Sequence, residues 1–192
     1  MRNYLTIVSG LPRSGTSVLM QMIHAGGMPA LIDEIRAADE DNPRGYFEFE
    51  PVKKTKQDPS WVPRGVGKVV KMVHLLLKDL PAGFVYRVIF ARRDLDEVVR
   101  SQNIMLERHG KSTAGLPEDR MKQIYLAQIQ EVQDFMRARP TQFSWIEVDY
   151  NTLVRDPAPI VQRVSAFLDG LDEKGMLTAV DPKLYRNREA KG

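Results

Sequence analysis

Residues 7–20, IVSGLPRSGTSVLM, constrain this chain more than any other stretch. β-Branched residues run into Gly10, a Pro12-Arg13-Ser14-Gly15 turn follows, and Thr16 and Ser17 open a segment with apolar residues at helical spacing. The order is strand, tight loop, helix. Backbone N–H groups in the first turn of a helix have no acceptor inside it and lie at the positive end of its dipole, so both effects stabilise an anion there. Gly10 and Gly15 allow the backbone to approach that anion closely. Arg13 adds a planar fork of donors that can grip a tetrahedral anion from the side.

The rest of the chain repeats the alternation of strand and helix. Residues 4–8 read as a buried strand, and Thr16–Ala25 as a helix with Val18, Leu19, Met22 and Ile23 inward, stopped by Gly26 and Gly27. Residues 68–76, KVVKMVHLL, read as a second strand whose period of two places Lys71 and His74 on opposite faces. His74 then lies near the strand's C-terminal end, where open parallel sheets form their ligand crevices. Residues 84–91 are a third strand, followed by Arg92, Arg93 and a helix start with Asp94 as N-cap and Glu97 completing a capping box. Pro117 opens a long helix with an apolar face through Ile129, Val132 and Met136, and Pro140 ends it. Residues 143–148 give a fourth strand, and Ile160, Val161, Val164, Phe167 and Leu168 mark a last helix stopped by Gly170. The expected fold is α/β, a parallel sheet of four or five strands flanked by helices and joined by right-handed crossovers.

At 192 residues the chain fits a single domain, 1–192. Residues 28–67 lack periodicity and carry Tyr46, Phe47, Phe49 and Trp61, which either wall a binding site or pin the segment to the domain; residues 181–192 are polar and read as a flexible tail. The net charge of +3 is too small to indicate nucleic-acid binding. The absence of cysteine excludes disulfides and thiolate catalysis. Ser9, Pro12 and Arg13 interrupt the first apolar run, unlike a signal peptide, and no run approaches the ~20 apolar residues of a membrane span, so a cytoplasmic location is expected.

Against the nucleotide-binding P-loop pattern GxxxxGK[ST], residues 10–17 keep the glycine spacing but have Thr16 where lysine is required. The form PRSGTS resembles the 5′-phosphosulfate loop of sulfotransferases that use 3′-phosphoadenosine 5′-phosphosulfate, as found in the carbohydrate and tyrosylprotein branches, and the chain is similar to a small bacterial-type member. VIFARRDLDEVVRSQ is similar to that family's second element, in which an arginine ending a strand and a serine eight residues later bind the donor's 3′-phosphate; here these are Arg93 and Ser101. Leu95 replaces the family's common proline, and Glu97 beside Asp96 replaces its usual Asp. VDYNTLVRDPAPIVQRVSAFL resembles the segment in which a tyrosine and an Asp-Pro step precede the last core helix. The family's C-terminal glycine-rich basic segment is missing, and Arg186 and Arg188 in LYRNR are expected to substitute for it as a basic clamp.

The resemblance implies transfer of a sulfuryl group from that donor to an acceptor hydroxyl or amine, with adenosine 3′,5′-bisphosphate left behind and no metal. Arg13 and the loop residues Ser14, Gly15, Thr16 and Ser17 would hold the phosphosulfate, and Arg93, Ser101, Arg186 and Arg188 the 3′-phosphate. Positioning and charge stabilisation then dominate catalysis. Residues 28–67 would bind the acceptor. Two residues compete as its base. Glu34, with Arg36 following, resembles the Glu and Arg pair of tyrosylprotein sulfotransferases; His74, preceded by Lys71, resembles the Lys and His strand end of cytosolic small-molecule sulfotransferases with one extra residue between them. Glu34 is preferred because the PRSGT loop belongs to branches that use Glu, and Glu48 stands third. The rival readings are a P-loop kinase, which the missing lysine opposes, and a bisphosphate-binding module without catalysis.

Overall fold

The computed structural model describes residues 2–33, 47–108, 110 and 116–180. Strands β1 (Leu5–Gly10), β2 (Val69–Val73), β3 (Tyr86–Arg92) and β4 (Phe143–Asp149) pair in parallel in the order β2-β1-β3-β4. Helices α1 (Thr16–Ala25), α2 (Val62–Gly65), α3 (Leu95–Arg108), α4 (Glu118–Arg137), α5 (Tyr150–Arg155), α6 (Pro157–Phe167) and α7 (Glu173–Ala179) surround them. The central strands read as continuous apolar runs because a parallel sheet is covered on both faces. Leu5, Ile7, Val88 and Phe90 point into a core shared with Val98 of α3 and with Ile129, Val132 and Met136 of α4. Val8, Ile89 and Ala91 point into the opposite core, against Leu19 and Ile23 of α1, Val161 and Val164 of α6 and Met176 of α7. Each fully buried side chain of this kind contributes roughly 1.5–3 kcal/mol.

β1 lies between β2 and β3, so the chain leaves it to one side and returns on the other. That reversal opens a crevice above the strand ends. Gly10 is the register partner of both Val73 and Ala91, which sets the loop after β1 directly beside the segment after β3.

Three local expectations are corrected. The second strand ends at Val73, and His74–Asp79 form a 3-10 turn that buries Leu77, so the strand alternation assigned to His74 does not apply. Asp94 does cap α3, its Oδ1 accepting from the amides of Asp96 at 2.9 Å and Glu97 at 3.1 Å, but the Glu97 carboxylate turns to Arg93 instead of closing a capping box. The helix marked by residues 160–168 forms as α6 but is not the last, since α5 precedes it and α7 follows with Asp172 as its cap.

Much of the 28–67 stretch is built onto the sheet. Ala30 bridges to Val69, the Leu31 amide donates to the Val69 carbonyl at 2.8 Å, and Glu50–Lys54 form a 3-10 turn. Phe49 and Trp61 are buried edge to face at 6.0 Å, and the Trp61 indole N–H donates to Thr55 Oγ1 at 3.1 Å. These two aromatics pin the segment to the domain. Among the described residues no helix is long and apolar enough to cross a membrane.

Candidate functional site

The 10–17 loop is built from strained and closely packed backbone. Gly10 has φ +150°, and a Cβ there would lie 2.8 Å from the Ala91 carbonyl oxygen. Gly15 has φ +94°, and its Cβ would fall 2.2 Å from Cδ2 of Tyr150. Between them Arg13 sits at φ +68°, a left-handed conformation that disfavours a residue with a side chain by roughly 1–2 kcal/mol. Ser14 closes the turn: its Oγ donates to the Leu11 carbonyl at 2.7 Å and its amide to the same oxygen at 3.3 Å. Ser14 therefore shapes the loop, and the amides that open α1 belong to Thr16 and Ser17. α1 has no side-chain cap and no acidic residue in its first turn, so no carboxylate of its own offsets the positive helix end.

Arg13, Arg93 and Ser101 come from the loop, the end of β3 and α3, and the structure brings them into contact. Arg13 Nε donates to Ser101 Oγ at 3.0 Å, and Arg93 Nη1 donates to the Arg13 carbonyl at 3.0 Å. The Arg93 side chain is buried; its Nε donates to Glu97 Oε2 at 2.8 Å, and its guanidinium lies 4.9 Å from the Tyr150 ring centroid. Asn151 Nδ2 completes the support by donating to Glu97 Oε1 at 3.0 Å. The two anion elements expected from sequence thus meet directly, because the strands that carry them are neighbours.

Lys71, near the end of β2, joins the loop from the other side. Its Nζ is 3.4 Å from Ser17 Oγ and 3.6 Å from Glu48 Oε1. The ammonium absent from position 16 is supplied by the adjacent strand.

His74 is 2 % exposed, with Nδ1 3.2 Å from the Gly10 carbonyl and Nε2 3.2 Å from the side-chain amide of Gln128. Burial pushes its pKa down, against the opposing effect of its hydrogen bonds to Gln128 and Gly10. As placed, both partners are acceptors, the Gly10 carbonyl and Gln128 Oε1, so a neutral imidazole donates to one of them at a time. His74 in this arrangement ties the end of β1 to α4.

No family model matches the chain, and no curated protein matches it in sequence. Solved structures do. A sulfotransferase domain from the curacin biosynthetic pathway superposes with a TM-score of 0.57 at 17% identity, over 93% of this chain and 78% of that one. The sulfotransferase domain of the Synechococcus PCC 7002 olefin synthase superposes with a TM-score of 0.58 at 15% identity, over 96% of this chain and 87% of that one. This chain has the sulfotransferase fold. A sugar kinase from Janibacter sp. HTCC2649 reaches a TM-score of only 0.37 at 13% identity, too low to argue from.

The structure brings Arg13, Gly15, Thr16, Ser17, Arg93 and Ser101 together at the strand ends and adds the contacts of Lys71, Tyr150 and Asn151 there, which sequence reasoning missed. A signal for Lys71 was present, as a lone cation in an apolar strand that ends beside the loop. VDYN likewise follows β4 at the same end of the sheet. Glu34, Arg186 and Arg188 lie outside the described residues. Among the described residues no group of three or more His, Cys, Asp and Glu side chains is arranged to hold a metal ion.

Proposed function

We propose that this chain is a sulfotransferase that takes its sulfuryl group from 3′-phosphoadenosine 5′-phosphosulfate and passes it to an acceptor hydroxyl or amine. The observation that carries this reading is the contact of Arg13 with Ser101 and of Arg93 with the Arg13 backbone. It joins a loop suited to a 5′-phosphosulfate and an Arg/Ser pair suited to a 3′-phosphate at one crevice of a sulfotransferase fold. Glycine at positions 10 and 15 keeps the loop packed closely against the ends of β3 and β4, since a Cβ there would collide with Ala91 and Tyr150.

The bound donor supplies an activated sulfuryl group. Arg13, Lys71 and the Thr16 and Ser17 amides orient it and meet the negative charge that grows on the bridging oxygen as sulfur departs. Arg93 and Ser101 hold the 3′-phosphate, with Glu97 and Tyr150 fixing the Arg93 guanidinium. Arg186 and Arg188 are proposed to close over that phosphate. Of the sequence-based candidates for the base, His74 is buried between Gly10 and Gln128 and Glu34 lies outside the described residues.

The second anion element is tested by an affinity ratio. Ser101→Ala is expected to weaken adenosine 3′,5′-bisphosphate binding by about 10–100-fold, the loss of one hydrogen bond to a charged group, and to weaken adenosine 5′-phosphosulfate binding much less, through the lost Arg13 contact alone. Arg93→Ala should act in the same direction, with a stability loss added because Glu97 is left buried without its cation. Titration calorimetry with both ligands reads the ratio. An unchanged ratio in both variants would overturn the assignment of a 3′-phosphate site.

A further inference from the structure

Glu48 is the carboxylate that faces the loop's second cation. Its Oε1 is 3.6 Å from Lys71 Nζ, which in turn is 3.4 Å from Ser17 Oγ at the start of α1, and its Oε2 is 3.8 Å from Lys53 Nζ. Its side chain is 19% exposed, sheltered yet open to a small group from solvent. The backbone is fixed rather than incidental. The Glu48 carbonyl accepts from the Asp33 amide at 2.9 Å, the Glu50 amide donates to Asp33 Oδ2 at 2.6 Å, and Leu31 is hydrogen-bonded to β2. Phe47 immediately before it is held at φ +51°, a conformation that an aromatic residue adopts only where its surroundings impose it. Among the described residues, the positive φ values outside glycine belong to Arg13, Phe47 and Asp169. Arg13 lies in the anion loop and Phe47 immediately precedes Glu48.

We infer that Glu48 is the catalytic base that takes the proton of the acceptor. This rests on the sulfotransferase reading above. Glu97 at the same crevice is hydrogen-bonded through both oxygens, and the His74 ring is buried with Nε2 facing Gln128 Oε1, whereas Glu48 is partly exposed and meets Lys71, one of the two cations placed beside the sulfuryl group, at 3.6 Å. The acceptor oxygen bonds to sulfur as the bond from sulfur to the bridging oxygen breaks. The acceptor's proton goes to Glu48 and then to water. The electron pair of the broken bond stays on the 5′-phosphate of the departing bisphosphate, opposite Arg13 and Lys71.

The test uses the full chain, 3′-phosphoadenosine 5′-phosphosulfate as donor and water as acceptor, with released sulfate measured across pH. Glu48→Gln keeps the side chain's shape and removes its basicity. Sulfate release is expected to fall by about 10²-fold or more, the decline of the wild-type rate toward acid pH is expected to disappear, and thermal stabilisation by adenosine 3′,5′-bisphosphate is expected to stay the same. Glu34→Gln should keep that acid decline. A Glu48→Gln protein that keeps the wild-type rate overturns the inference. So does one that loses rate but keeps the acid decline, which marks a positioning role, and so does a Glu34→Gln protein that loses the decline. A wild type that binds bisphosphate but releases no sulfate also overturns it. A wild type that binds no bisphosphate sinks the underlying sulfotransferase reading instead.

Discussion

Arg13→Ala is expected to lower sulfuryl transfer by about 10²–10³-fold, the loss seen when a preorganised donor aimed at developing charge is removed. The residue combines two features that seldom coincide without function. Its backbone is held at φ +68°, where glycine would sit without strain, and its side chain reaches across the crevice to Ser101. Selection for stability alone would favour glycine there. Alanine at the same φ carries nearly the same backbone strain as arginine, so the variant should unfold within about 1 kcal/mol of the wild type while losing turnover. Arg13→Lys should retain part of the rate, because it restores a charge but not the planar fork. Steady-state kinetics alongside a denaturant titration separates the effects. Retention of more than about a tenth of the wild-type kcat/KM would remove Arg13 from the mechanism.

Gly15→Ala should be the most damaging single methyl in the loop. The added Cβ would lie 2.2 Å from Tyr150 Cδ2 at a φ of +94°, and Tyr150 is itself 5% exposed beneath the Arg93 guanidinium. Tyr150 has no room to yield without displacing Arg93, so steric strain and the second anion element fail together. A loss of about 2–4 kcal/mol is expected. At this chain length it corresponds to a fall in Tm of roughly 5–15 °C. Gly27→Ala is the internal control: it shares a φ of +94° but nothing lies within 4 Å, so it should show backbone strain alone, roughly 1–2 kcal/mol. Equal losses in the two variants would mean that the Tyr150 contact does not support the loop.

The features legible in the sequence are those set by local chemistry. Glycine spacing, the lysine missing at position 16 and the run into Gly10 specify a strand, an anion loop and a helix, and Asp94 announces the start of α3. What stayed hidden depends on partners far along the chain. Arg13 and Ser101 are 88 residues apart, and Lys71 and Ser17 are 54 apart, so only the sheet order tells that they meet. The run KVVKMVHLL is apolar enough to suit a strand or a buried turn, and periodicity alone does not decide between them; the His74 contact with Gly10 and the burial of Leu77 favour the turn. Glu97 matched a capping pattern, but a buried guanidinium beside it outcompetes a backbone amide for the carboxylate.

The most direct test of the account compares thermal stabilisation by adenosine 3′,5′-bisphosphate with that by ADP and Mg²⁺. A ligand at about 100 times its Kd stabilises the folded chain by about 2.7 kcal/mol, a rise in Tm of roughly 5–11 °C here. That rise is expected for the bisphosphate and a much smaller one for the magnesium nucleotide, because Thr16 occupies the lysine position and Arg93 with Ser101 is proposed to recognise a 3′-phosphate. A larger shift with ADP and Mg²⁺ would contradict it.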